Sequence, residues 1–287
     1  MLLGYIMFIP KAASKSGTVF IMSNAARFDV HTHIFHPKIS AKVVRQLDSH
    51  YHIPPIGTGE YEDLQPRLEK AGISWCCAHS AATAPEQVIP ANRWAASLKS
   101  IPGIIPFGTM HPGFTDWEAE LAFLADHRVP GIKLHPDFQG FRLDDPALLP
   151  LFAAMQGQFT LMVHVGDVLP PELNPSCPWK IAAIKRRYPK LQIIAAHFGG
   201  YRHWQYVIEA LSGLEIYFDT SSSLFAIPQG LLEQIFRAFP QQRFLFGSDY
   251  PLFDPGAEMQ RLQYRLHLTD TQLENILSNA NNLGLQQ

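Results

Sequence analysis

Eight short runs rich in apolar and β-branched residues recur along this chain, and helix-length amphipathic stretches separate most of them. The runs are Phe28–Phe35, Ile73–Ser80, Ile104–His111, Gly131–His135, Thr160–Gly166, Gln192–Phe198, Ile216–Ser221 and Arg243–Asp249. Near-continuous apolar character marks strands buried on both faces, as in parallel sheets. Between them, DPALLPLFAAMQGQ, WKIAAIKRRYPK, HWQYVIEALSGL and QGLLEQIFRAFP place apolar residues at helical spacing. From His31 to Asp249 the run ends repeat about every 31 residues, the length of one βα unit. Eight units with no long strandless gap predict an α/β protein with a closed (β/α)8 TIM barrel rather than an open doubly wound sheet. After the first run stands HTHIFHPK, where a dinucleotide-binding sheet would carry glycines. The 287 residues suit one such barrel, which takes about 250 residues. The domain is expected over residues 26–287, with residues 1–25 as an N-terminal extension.

Composition narrows the function classes. A content of 47 % hydrophobic and 17 % charged residues describes a globular protein with an ample core. A net charge of −2 with scattered basic residues gives no electrostatic footprint for nucleic acid. The one compact basic cluster, Lys185–Arg187, is expected on a solvated helix face. The leading MLLGYIMFIP stretch has no basic region before it and is too short to span a bilayer; Met22 is an alternative start. Three cysteines make no disulfide framework, so reduced thiols in a cytoplasmic protein are expected. The expected partner is a small-molecule substrate, with neither nucleic acid nor membrane, and homo-oligomer formation is left open.

Two loops, His36–Gly59 and Leu169–Pro178, are long or rich in breakers and follow the first and fifth strands, where they would border a barrel's active site. Thr269 with Gln272 three residues on reads as a capping box opening a closing helix.

Histidine placement points to chemistry. Seven of the thirteen histidines fall at or just before run ends: His31, His33, His79, His111, His135, His164 and His197. A barrel gathers those ends onto one face. A strand has a side-chain period of two, so His31 and His33 leave the same face and form half of a tetrahedral metal site. His164, His197 and Asp249 are candidates for the rest.

FDVHTHIFHP, GIKLHPDFQGF, HVG, AHFGG, FGSDYP and the late ILSNANNLGL together resemble the amidohydrolase superfamily, and within it the amidohydrolase-related (amidohydrolase 2) group of metal-dependent hydrolases and decarboxylases. The resemblance covers roughly residues 27–285 and implies the same barrel. It makes His31, His33, His164 and Asp249 ligands of one divalent metal ion, zinc in preference to manganese or iron. It places His197 beside the activated water. Asp249 and His197 are then the catalytic groups, Asp249 accepting a proton and His197 donating hydrogen bonds. Lys133 and His135, two apart on strand four, are assigned with His111 to substrate binding. Lys133 is read as the cation for a substrate carboxylate in preference to a carboxylated bridging ligand of a second metal. The implied activity is metal-dependent hydrolysis of an amide, lactone or ester of a small carboxylated molecule, with non-oxidative decarboxylation of an aromatic or unsaturated acid as the alternative. For the alternative, Arg45 and Arg67 are the available early-loop cations, neither in a matching motif. His36, His50 and His52 are treated as surface residues, and Arg202 and His203 as solvated.

Overall fold

The computed structural model describes residues 25–286; the expected extension, with its alternative start, lies almost wholly outside them. Eight parallel strands run in the order β1 to β8: β1 (Phe28–His33), β2 (Trp75–His79), β3 (Ile104–Thr109), β4 (Gly131–Leu134), β5 (Thr160–Val163), β6 (Gln192–Ala195), β7 (Tyr217–Asp219) and β8 (Phe244–Leu245). Each lies within its expected run. The observed strands are shorter because the chain leaves the ladder at the C-terminal ends, where the polar residues collect.

Closure comes from backbone bonds between β1 and the segment continuing β8. Val30 N donates to Phe246 O at 2.8 Å, His33 N to Tyr250 O at 2.8 Å and Asp249 N to His31 O at 2.7 Å. Register between β1 and β2 shifts between Asp29 and Thr32, the mark of a β-bulge. The irregularity leaves the His31 and Ser248 amides without carbonyl partners in the ladder. The buried Asp29 Oδ1 accepts from both, at 3.1 and 3.0 Å. The fold is therefore a TIM barrel whose seam is stitched by one carboxylate.

Helices fill the crossovers: α1 (Ser40–Tyr51) and α2 (Tyr61–Ala71) after β1, α3 (Val88–Leu98), α4 (Trp117–Asp126), α5 (Pro136–Gln139), α6 (Leu149–Met155), α7 (Pro178–Arg187), α8 (Val207–Leu211) and α9 (Gln229–Ala238). After β8 come α10 (Pro255–Leu266) and α11 (Asp270–Ser278), the latter opened by the expected Thr269–Gln272 capping box. The stretch His36–Gly59 is not a loop throughout, because α1 occupies its centre. Only Ser40 of that helix is buried, while Val43, Val44, Leu47 and Tyr51 form a half-buried apolar stripe along one side.

Apolar side chains form two layers. Phe28, Val30, Cys77, Ile105, Phe107, Met162, Ile194 and Leu245 pack inside the barrel, floored by Ala280, Leu283 and Leu285. A larger cluster joins the outward strand residues to the helices. Within the barrel, Phe107 fills the space beside Gly131, where an added Cβ would lie 2.2 Å from the ring. Gly131→Ala should therefore destabilise the protein by about 1–3 kcal/mol through overpacking. A thermal melt of the variant unchanged from that of the parent would contradict this packing.

The basic cluster is not wholly solvated. Lys185 is buried and donates to Pro189 O at 2.8 Å and Leu191 O at 2.9 Å. His203 likewise is buried, with Nε2 donating to Leu169 O at 2.7 Å. Cys76, Cys77 and Cys177 are free and buried. No helix among the described residues is long and apolar enough to cross a membrane.

Candidate metal centre

The strand ends bring five of the expected groups together. His31 and His33 come from β1, His164 follows β5, His197 follows β6 and Asp249 follows β8. His197 and Asp249 both lie in left-handed backbone, at φ 62° and 66°, which turns the chain sharply at each strand end and aims the side chain into the mouth. Such conformations cost energy and persist where surrounding bonds enforce them. Here those bonds are Asp249 N to His31 O and the Trp204 indole, which donates to His197 O at 2.9 Å.

One potential ligand atom from each of His31, His197 and Asp249 lies within 4.8 Å of the others. His33 and His164 join through neighbours. His33 Nε2 is 3.2 Å from Asp249 Oδ1, and His164 Nδ1 is 2.8 Å from His197 Nε2. His31 Nε2 lies 3.4 Å from Asp249 Oδ1. The other Asp249 oxygen accepts from the Ser222 hydroxyl.

Each imidazole's second nitrogen meets an acceptor, which assigns its proton. His31 Nδ1 donates to Asp219 Oδ2 at 3.0 Å, His33 Nδ1 to His79 O at 3.2 Å, His164 Nε2 to Gly166 O at 2.9 Å and His197 Nδ1 to Ser221 O at 3.2 Å. The remaining nitrogens of His31, His164 and His197 are therefore acceptors, and that of His31 already accepts from Lys133 Nζ at 3.0 Å. Burial holds the imidazoles of His31, His164 and His197 below the ordinary histidine value, aided by the Lys133 ammonium beside His31 and by the His197 ring beside His164. The outcome is electrostatically unusual. Two lone pairs, on His164 Nδ1 and His197 Nε2, face each other at hydrogen-bond distance with no proton between them. Buried acceptors arranged this way repel unless a cation lies among them, and nitrogen donors with one carboxylate match a zinc-type site.

The expected substrate residues divide. Lys133 is buried below the centre, with Nζ donating to His31 Nε2 at 3.0 Å; burial pulls its ammonium down to about 8. His135 stacks on His164 with centroids 3.8 Å apart, and its Nε2 donates to the Tyr51 hydroxyl at 3.1 Å. The structure does not bring His111 to this group. Its Nε2 donates to Gln139 O at 3.2 Å and its Nδ1 accepts from Gly113 N at 3.1 Å, so both nitrogens serve local loops.

Sequence reasoning missed four contributors: Tyr51, Asp219, Ser221 and Ser222. Asp219 could have been found as an acid ending a buried strand, since an unpaired carboxylate there would be prohibitively costly. Tyr51 closes the mouth from α1. Beneath it lies a cavity of about 10 Å³ bordered by His164, His197, Tyr201, Ser222 and Asp249. That is room for about one water molecule. The neighbouring His50, treated as a surface residue, has Nε2 3.1 Å from Asp167 Oδ2 and ties the same helix end to the loop after β5.

An eight-fold βα barrel with clustered histidines and an aspartate at its C-terminal mouth is an enzyme architecture. The chain matches the family model described as Amidohydrolase over residues 28–280 and belongs to that family. No curated protein matches it. Among solved structures, an uncharacterized TIM-barrel protein from Bordetella bronchiseptica is 20% identical with a TM-score of 0.73, covering 91% of this chain and 99% of its own. A putative 2-pyrone-4,6-dicarboxylic acid hydrolase from Pseudomonas putida is 18% identical with a TM-score of 0.62, covering 91% and 97%. A dihydroxybenzoic acid decarboxylase from Polaromonas sp. JS666, with bound manganese and the inhibitor 2-nitroresorcinol, is 16% identical with a TM-score of 0.64, covering 90% and 96%. At these identities the likeness is one of fold.

Proposed function

We propose that the protein is a metal-dependent hydrolase acting on an amide, lactone or ester of a small carboxylated molecule, with one divalent cation held by His31, His33, His164 and Asp249. The observation that carries this reading is the facing pair of lone pairs at His164 and His197, 2.8 Å apart, with His33 Nε2 3.2 Å from Asp249 Oδ1 beside them. A divalent cation bound there supplies Lewis-acid activation of water and of a carbonyl oxygen. Asp249 is placed to accept the proton of the attacking water, its second oxygen steadied by Ser222. His197, bordering the same cavity, is placed to hydrogen-bond an oxygen that gains charge during attack. Lys133 and His135 supply positive charge and a hydrogen-bonding edge for a substrate carboxylate.

The carboxy-lyase alternative wants a cation for the departing carboxylate. Of the two arginines available for that, Arg67 is committed to Asp254 at 3.0 Å and Asp63 at 3.2 Å, and Arg45 is exposed on α1. Neither borders the cavity.

Two measurements test the reading. Elemental analysis of purified protein should give one zinc, manganese or iron per chain, removable by a chelator, with hydrolytic activity lost and restored together with the metal. Two metals per chain with a carboxylated lysine detected by mass would instead make Lys133 a bridging ligand. Carbon dioxide release from a panel of hydroxybenzoates, with no turnover of lactones, esters or amides, would replace hydrolase with lyase.

A further inference from the structure

We infer that Asp219 and Ser221 form a single clamp that fixes the tautomers of His31 and His197 together, through one serine hydroxyl shared between the two rings. The inference rests on the metal reading above, because what the clamp does is keep two lone pairs available to a cation.

Ser221 Oγ lies 2.9 Å from His31 Nδ1 and 3.0 Å from His197 Nδ1. Its own proton is spent on Asp219 Oδ1. The hydroxyl can therefore offer only lone pairs to the imidazoles, and both Nδ1 atoms must carry hydrogen. Asp219 fixes the direction of the whole arrangement. Its Oδ2 accepts from His31 Nδ1 at 3.0 Å, and its Oδ1 accepts from Ser221 N at 2.9 Å, from His197 N at 3.2 Å and from the serine hydroxyl. Four donors fill about four acceptor sites on a carboxylate that is wholly buried. Three of the donors converge on Oδ1 and one on Oδ2, so the carboxyl group orders its neighbours.

Position in the barrel makes this possible. Asp219 ends β7, next in the sheet to β6, which leads into His197, while β8 and the closing seam lie on its other side. One residue pair thus reaches ring nitrogens delivered by the first and sixth strands. With Nδ1 occupied on both rings, both Nε2 atoms are acceptors toward the centre: that of His31 accepts from Lys133 Nζ at 3.0 Å, and that of His197 faces His164 Nδ1 at 2.8 Å. Neither ring can exchange tautomer unless the hydroxyl turns, and turning it disturbs the other ring. Asp219 and Ser221 are positioning residues that act through the histidines.

Asp219→Asn tests the clamp without changing its shape. The new amide nitrogen, facing His31, opposes donor to donor. The reversed amide would oppose two backbone N–H groups and a hydroxyl, which is worse. His31 relieves the conflict by moving its proton to Nε2, which displaces the Lys133 bond there and blocks a cation. In metal-free, full-length protein, nitrogen-15 NMR of the imidazoles should show His31 and His197 with hydrogen on Nδ1, and His31 switched to Nε2 in Asp219→Asn. Zinc titration should show affinity falling about 10–100-fold, the usual weight of an outer-shell partner. The melting temperature of the metal-free variant should change little.

Ser221→Ala removes only the shared hydroxyl, leaving His31 its carboxylate and His197 its carbonyl. It should weaken zinc about 2–10-fold, the weight of one neutral hydrogen bond, and it carries the test if Asp219→Asn fails to fold. Retention of the Nδ1 tautomer at His31 in Asp219→Asn, or wild-type zinc affinity in either variant, would overturn the clamp. Wild-type protein that binds no divalent metal overturns the metal reading instead, and the metal-free tautomers still judge the clamp.

Discussion

Replacing Asp249 with asparagine should weaken metal binding by more than about 100-fold, beyond the 10–100-fold usual for outer-shell partners. The other four groups at the centre are neutral imidazoles, so Asp249 supplies the only formal negative charge among the five. Asparagine keeps the size of the side chain and tolerates the left-handed backbone at φ 66°, so the fold is preserved while the charge is lost. Metal should therefore raise the melting temperature of the parent protein and leave that of the variant nearly unchanged. At a free metal concentration of 100 Kd, the parent gains about 2.7 kcal/mol by mass action. A variant that retains one metal per chain after dialysis, with the parent's metal-dependent rise in melting temperature, would remove Asp249 from the ligand set.

The second large effect is on stability. Asp29→Ala should cost about 2–6 kcal/mol, because it orphans two buried amides, those of His31 and Ser248, each worth about 1–3 kcal/mol when unsatisfied. Both N–H groups point into the seam between β1 and the segment after β8, where the bulge has removed their carbonyl partners. Asp29→Asn keeps an accepting oxygen in place and should cost less than about 1 kcal/mol of that total. Urea unfolding of the metal-free proteins separates the two. Equal losses in both variants, or none in alanine, would show that the amides find other partners.

Much of this arrangement can be read from the amino-acid order. The eight apolar runs mark every strand, and His31, His33, His164, His197 and Asp249 are legible because each stands where a buried strand stops. The same signal over-reads His111, whose position is equivalent but whose nitrogens are taken by Gln139 and Gly113; strand phase shows which end a residue occupies, not what the adjoining loop needs. The bulge at β1 leaves no periodic trace, since Val30 and His31 both suit an interior position. Asp219 carries the signal of an acid ending a buried strand, but Ser221 stands in a run of three serines, and the sequence does not say which hydroxyl meets the rings. Helix α1 carries a helical signal in Val43, Val44, Leu47 and Tyr51, but the prolines and glycines around it make the whole stretch read as a loop.

That helix sets the terms of access. A chamber that admits one water molecule cannot receive an organic guest while the phenol of Tyr51 sits across its entrance. Arrival of anything larger therefore begins with separation of the phenol from His135 and of the His50 ring from Asp167. The speed of that parting is an upper bound on how often the buried histidines can meet a new visitor.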